Sequence, residues 1–212
     1  MKDHPIIFSG ESIRSILAGR KTQTRRVIGK DIFIGFLKGT ICVDGEFTSF
    51  FEVVGPGYDR GRIDRVCRYG VPGDRLWVRE TWALHGDHGA AFFKESIDLP
   101  DDARPWMRDV NHTPFGRPWR SPIYMPKSLA RLWLEVLQVR VERLQDISES
   151  DAQAEGVPQC PAHWKTDTPY RKEYEREWDH INARRGYPWE SNPWVWVIEF
   201  KVAKPIGAVV AD

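Results

Sequence analysis

Long apolar runs are missing from this 212-residue chain. Stretches such as Val195-Trp196-Val197-Ile198 fall far short of the roughly 18 residues a membrane-spanning helix needs, and the N-terminus has no apolar signal core. The expected location is therefore the cytoplasm, with no membrane partner. An excess of one charge is missing too: 31 Lys and Arg face 30 Asp and Glu, a net of +1. That excludes whole-molecule attraction to nucleic acid or an anionic surface, so any basic site must be local. Cysteine is scarce. Cys42, Cys67 and Cys160 are odd in number and widely spaced, which suits neither a disulfide framework nor a four-cysteine zinc site, so they read as reduced thiols. His85-Gly86-Asp87-His88 and Cys160-Pro161-Ala162-His163 each hold two metal-binding side chains but not the full set of a structural zinc. No metal or other cofactor is expected.

Aromatic residues, by contrast, are plentiful: 10 Trp, 10 Phe and 6 Tyr within a 41% hydrophobic composition supply a buried core. The length suits a single domain over 1–212. Pro5 to Phe8 reads as a short strand. Ser9 then caps a helix whose Ile13, Ile16 and Leu17 share a face, and Gly19 occupies its C′ position. Arg20 to Ile28 is β-prone and basic, and residues 1–30 hold seven Lys or Arg against two acids.

Asp44-Gly45 marks a hairpin between Thr40–Val43 and Glu46–Val54. Pro72-Gly73-Asp74 turns into a central strand over 75–82, after which 83–126 loses periodicity and reads as a long ordered loop. Apolar alternation returns over Leu129 to Leu144 as one long strand or a bent pair. Ser148 to Gly156 carries the caps of a short helix. Pro169 to Arg185 is helical, with Tyr170, Tyr174, Trp178 and Ile181 forming a stripe, and Pro193 to Val202 is a strand. The pattern predicts an α+β domain on a curled, mostly antiparallel sheet with flanking short helices, carrying insertions at 40–54 and 83–126.

The densest chemistry lies in Gly19-Arg20-Lys21-Thr22-Gln23-Thr24-Arg25-Arg26. Strand positions three apart face opposite ways, so Lys21 and Thr24 meet only if Lys21 sits in the turn and folds over the strand. A neutral Lys21, its basicity lowered by burial or by Arg25 and Arg26, would then accept the Thr24 proton. The same stretch also reads as a solvated basic strand edge, or as a phosphate-binding patch.

Gly19, Lys21 and Arg26, following a short helix and opening a strand, resemble the signature of ASCH domains, small β-barrels of the PUA-like class of RNA-binding modules. Leu17-Ala18-Gly19-Arg20-Lys21-Thr22-Gln23-Thr24, with Phe8 before it and Val197-Ile198-Glu199-Phe200-Lys201 at the end, is similar to small bacterial ASCH amidohydrolases acting on N4-acetylcytidine. Lys21 to Arg26, Pro72 to Trp82 and Asn192 to Trp196 also resemble phage and prophage ASCH proteins along nearly the whole chain. The resemblance implies a PUA-like β-barrel and a hydrolase of N4-acylated cytosine or cytidine, working without a cofactor. It implies a triad of Lys21, Thr24 and an acid in a downstream short helix, where the match is Glu155. In these roles Thr24 is the nucleophile, Lys21 its base, and Glu155 orients Lys21 or the substrate amide.

Glu80 is the alternative acid, a substrate contact or a structural ion pair. Arg26 would hold the base carbonyl or the oxyanion, or bridge to Glu80. Phe8 stacks on a pyrimidine or belongs to the core, and Tyr58 and Trp82 are further candidate pocket walls. The amidohydrolases are much shorter, so residues 40–54 and 83–126 have no counterpart in them. An RNA-binding module with Lys21, Arg25 and Arg26 on phosphates, or a ribonuclease in the same basic cleft, is the alternative. The partner is accordingly a modified nucleoside or base, or else RNA; acyl preference and oligomeric state are left open.

Overall fold

β1 (Asp3–Ile7) leads into α1 (Gly10–Leu17), which carries the caps its sequence specifies. Ser9 Oγ accepts from the Ser12 N–H at 3.2 Å, and Gly19, just past the C-cap Ala18, has φ +71°. The structure is a computed structural model describing residues 1–28, 33–35, 40–43, 46–49, 67–85, 90–96 and 117–203. β2 (Gln23–Val27) follows α1, and β3 (Phe33–Gly35), β4 (Thr40–Val43) and β5 (Glu46–Ser49) form a separate antiparallel sheet. β4 and β5 pair with Val43 opposite Glu46, as a two-residue hairpin requires; the Asp44-Gly45 turn and residues 50–54 lie outside the described residues.

The stretch expected as one strand over 75–82 divides into β6 (Arg75–Arg79) and β7 (Trp82–His85). The expected loop from Ala83 is also corrected: β7 pairs antiparallel with β8 (Ala90–Phe93), and Trp82 makes a further bridge to Arg120. Short apolar runs such as Ala90-Ala91-Phe92-Phe93 satisfy each other's backbone groups. The composition of the longer stretch hides that local pairing; residues 97–116 lie outside the described residues.

β9 (Trp133–Arg143), α2 (Glu149–Ala154), α3 (Pro169–Asn182) and β10 (Trp194–Ala203) complete the architecture. The main sheet runs β1-β6-β9-β10-β2, with β1 and β6 parallel and the other neighbours antiparallel. This is an α+β fold on a mixed five-stranded sheet. No ladder joins β1 to β2 among the described residues, but Arg26 Nη2 donates to the Ile7 carbonyl at 2.7 Å and ties the two edges together.

β10 has apolar residues at consecutive positions because both its faces are covered. Trp196, Ile198 and Phe200 join a core with Ile6, Ile13, Ile16 and Val78, while Val195 and Val197 face a second core with Tyr174, Trp178 and Trp189. The register of β10 against β9 shifts between Glu199 and Phe200, leaving Leu137 as the extra residue, 44% exposed. α3 is anchored by Glu149, whose carboxylate accepts from the Tyr170 and Arg171 N–H groups at 2.7 and 3.0 Å. No described helix is long and apolar enough to cross a membrane.

Candidate active site

Lys21 is held in a turn, outside β2. The Gly19 N–H donates to Ile16 O, and the Arg20 and Lys21 N–H groups donate to Ser15 O at 2.9 and 3.1 Å, wrapping the chain around the end of α1. The same turn docks on α2: Thr22 N–H donates to Ala154 O at 2.9 Å, and Ser15 Oγ to Gly156 O at 3.2 Å. The contact is tight enough to demand glycine at 156. There φ is +82°, and a Cβ would lie 2.7 Å from the Lys21 Cβ. Gly156→Ala is expected to cost about 1–2 kcal/mol from backbone strain alone. The Lys21 stem must also shift, so activity should fall further than melting temperature predicts when both are measured on one sample.

This docking brings together two residues 134 positions apart. Lys21 Nζ donates to Glu155 Oε2 at 2.6 Å and to Glu155 O at 2.7 Å, and both side chains are buried. The other carboxylate oxygen faces Arg25 Nη1 at 3.4 Å and accepts from the Tyr174 hydroxyl at 3.5 Å. Burial, with the Glu155 charge adding to it, pushes the Tyr174 phenol well above its ordinary value and keeps it a donor. Arg25 is fully enclosed: it also pairs with Glu142 at 3.1 Å and Asp151 at 3.2 Å and donates to Gln23. Arg140 continues the network to Glu142, Glu199 and Asp151. The solvated-edge reading is thus corrected. β2 is an edge strand, but Lys21, Gln23, Thr24 and Arg25 are each buried, and the α2 segment pairs with three of them, through Asp151 to Gln23 and Arg25 and through Glu155 to Lys21.

A cavity of about 760 Å³ opens on this cluster, with Phe8, Lys21, Thr24, Arg26, Tyr69 and Glu155 in its wall. Thr24 is 4% exposed, and its hydroxyl makes no hydrogen bond among the described residues. Arg26, two positions on along β2, shares its strand face. The Arg26 guanidinium lies 5.0 Å from the centre of the Phe8 ring, and its Nε is buried without a hydrogen-bond partner among the described residues. Phe8 is a core member packed on Phe200 at 6.1 Å, as one of its two readings expected, and it also lines the cavity. One of its faces is taken by Arg26. A second cavity of similar volume lies on the other side of the turn, between α1 and α2, but neither Lys21, Thr24 nor Glu155 lines it.

Glu80 is not brought to the cavity. Its carboxylate is fully buried and accepts from Arg131 Nε at 3.0 Å and Nη2 at 2.6 Å, so of its expected roles it takes the structural ion pair. Nor does Arg26 bridge to it. Arg131→Ala, which strands this carboxylate, should lose about 3–5 kcal/mol of stability by chemical denaturation. Trp82 is buried outside the cavity wall, and Tyr58 lies outside the described residues. The sequence reading missed Tyr69, Tyr174 and Glu177 as wall residues. For the last two a signal existed: Tyr174 belongs to the aromatic stripe, and Glu177 follows it by three and precedes Ile181 by four, a spacing that puts the acid beside that stripe.

No family model and no curated protein matches the chain. Among solved structures, 95% of the chain is similar to 79% of an ASCH domain from Lactobacillus crispatus, at 10% identity and a TM-score of 0.39. A DUF984 protein from Enterococcus faecalis is similar over 96% of this chain and 77% of its own, at 13% identity and a TM-score of 0.38. These are likenesses at low identity; the chemistry of the site rests on its own residues.

Proposed function

We propose that this protein is an amidohydrolase that removes the acyl group from the N4 position of cytosine, cytidine or a similar nucleoside, using Lys21, Thr24 and Glu155. The observation that carries the reading is the buried Lys21–Glu155 contact at the wall of a cavity that Thr24 also lines. The sequence resemblance to ASCH amidohydrolases supports it.

Amide hydrolysis needs a nucleophile, a site for the developing oxyanion and a proton for the departing amine. Lys21 passes a proton to Glu155 across their 2.6 Å hydrogen bond, and the amine so formed takes the proton of Thr24 Oγ as that oxygen bonds to the acyl carbon. The Arg26 guanidinium, in the cavity wall, offers N–H donors to the oxyanion. Collapse breaks the bond to N4, which leaves as the cytosine amine with the proton carried by Lys21. Water then attacks the acyl-threonine ester, gives its proton back through Lys21 and releases the carboxylic acid. Arg25 and Tyr174 hold the far oxygen of Glu155 throughout.

The phosphate-binding alternative is less well supported, because Lys21 and Arg25 are already paired with carboxylates inside the protein. Purified protein incubated with N4-acetylcytidine should change its ultraviolet spectrum to that of cytidine and release one acetate per cytidine. No turnover, combined with RNA binding that weakens steeply with salt, would replace this reading with the RNA-binding one.

A further inference from the structure

α3 lines the cavity from floor to rim. Tyr174 touches Glu155 at the floor, Ile181 is 38% exposed at the rim, and Glu177 stands between them, about 4.5 Å along the helix axis from Tyr174. Glu177 is half-buried and, among the described residues, has neither a hydrogen bond nor an ion pair. Lys21 and Arg25 are committed to Glu155 and Arg26 to the Ile7 carbonyl, while His180 and Arg185, which also line the cavity, make no ion pair with Glu177 among the described residues. A carboxylate only accepts hydrogen bonds, so one that no described residue partners in a ligand-sized wall is free to receive a ligand that brings donors in place of solvent. The volume also exceeds what a free pyrimidine fills and lies within the range of sites for larger ligands.

We propose that Glu177 is a specificity-determining residue that accepts hydrogen bonds from the vicinal hydroxyl groups of a ribose, making the cavity a nucleoside site in preference to a free-base site. This rests on the amidohydrolase reading for the ligand's orientation. With the acyl group against Thr24 at the floor, the opposite edge of the ring and its sugar point toward the rim, at the level of Glu177. Two adjacent hydroxyls match the two oxygens of one carboxylate. Burial pushes the Glu177 carboxyl above its ordinary value; the Lys21 charge opposes this, and Glu11, Glu155 and Glu173 add to it. An acid raised in the folded state costs stability as pH rises past its unfolded value, so Glu177→Ala and Glu177→Gln should melt no lower than the parent at pH 7.

The test is calorimetric binding of cytidine and 2′,3′-dideoxycytidine to the parent protein, Glu177→Ala and Glu177→Gln. Loss of the diol should weaken binding to the parent about tenfold or more, and Glu177→Ala should weaken cytidine binding by a similar factor. The two losses should not add, because each removes the same contact; Glu177→Gln, which keeps one acceptor oxygen, should fall between. Equal binding of both nucleosides by the parent, additive losses, or no cytidine binding would overturn the proposal. Absence of deacylation with the diol effect intact would remove the amidohydrolase reading and leave the ribose contact standing. Deacylation without a diol effect would do the reverse.

Discussion

Thr24→Ala is expected to reduce release of acetate from N4-acetylcytidine by at least about 10²–10⁴-fold, since it removes the oxygen that forms the covalent bond. The variant should still fold, because it loses only one methyl group and one hydroxyl that makes no hydrogen bond among the described residues. Lys21→Ala should fall by a comparable factor for a different reason: Thr24 keeps its hydroxyl but loses its base. It should also lose stability, as Glu155 is left buried beside only the more distant Arg25 and Tyr174. Steady-state kinetics on both variants, with melting curves alongside, separates the two effects. Full activity in both would show that the chemistry lies elsewhere in the cavity.

A large loss of stability is expected at Arg25. Its side chain has no exposed surface and faces three carboxylates, Glu142, Asp151 and Glu155. Replacing it with leucine leaves those charges without their central cation, a loss of about 3–5 kcal/mol. For a chain of this size that is roughly a 10 °C fall in melting temperature. The penalty should depend on pH with a definite sign. Burial would raise the Asp151 carboxyl, but hydrogen bonding from Gln23 and the charges of Arg25 and Arg140 outweigh it and hold it below 3.8. An acid depressed on folding contributes stability above its unfolded value and loses it as pH falls through the folded one. The gap between parent and Arg25→Leu should therefore narrow in melts run below about pH 4. A gap constant from pH 7 to pH 3 would mean that Arg25 stabilises by packing rather than by charge.

Much of the local structure was legible because its causes are local. Ser9 and Ser148 cap helices through their own hydroxyls, and Gly19 and Gly156 end them with positive φ. The β4–β5 pairing, with Val43 opposite Glu46, matches the Asp44-Gly45 signal in the sequence. Where the reading failed, the cause was pairing at a distance: β7 and β8 are each four residues long, and neither signals a strand without the other. Charge was misread for a similar reason. A basic run looks solvated until the carboxylates of β9 and α2 are seen to surround it.

By itself, the sequence determined the caps and the periodicities, since these depend on neighbours a few positions away, and it made the turn at Lys21 the condition on which the site depends. Only the tertiary structure decided that the acid meeting Lys21 is Glu155 while Glu80 pairs with Arg131, that Arg25 is enclosed, and that Glu177 faces the cavity. Those outcomes turn on the burial of charge, which depends on which surfaces meet across the whole length of the chain.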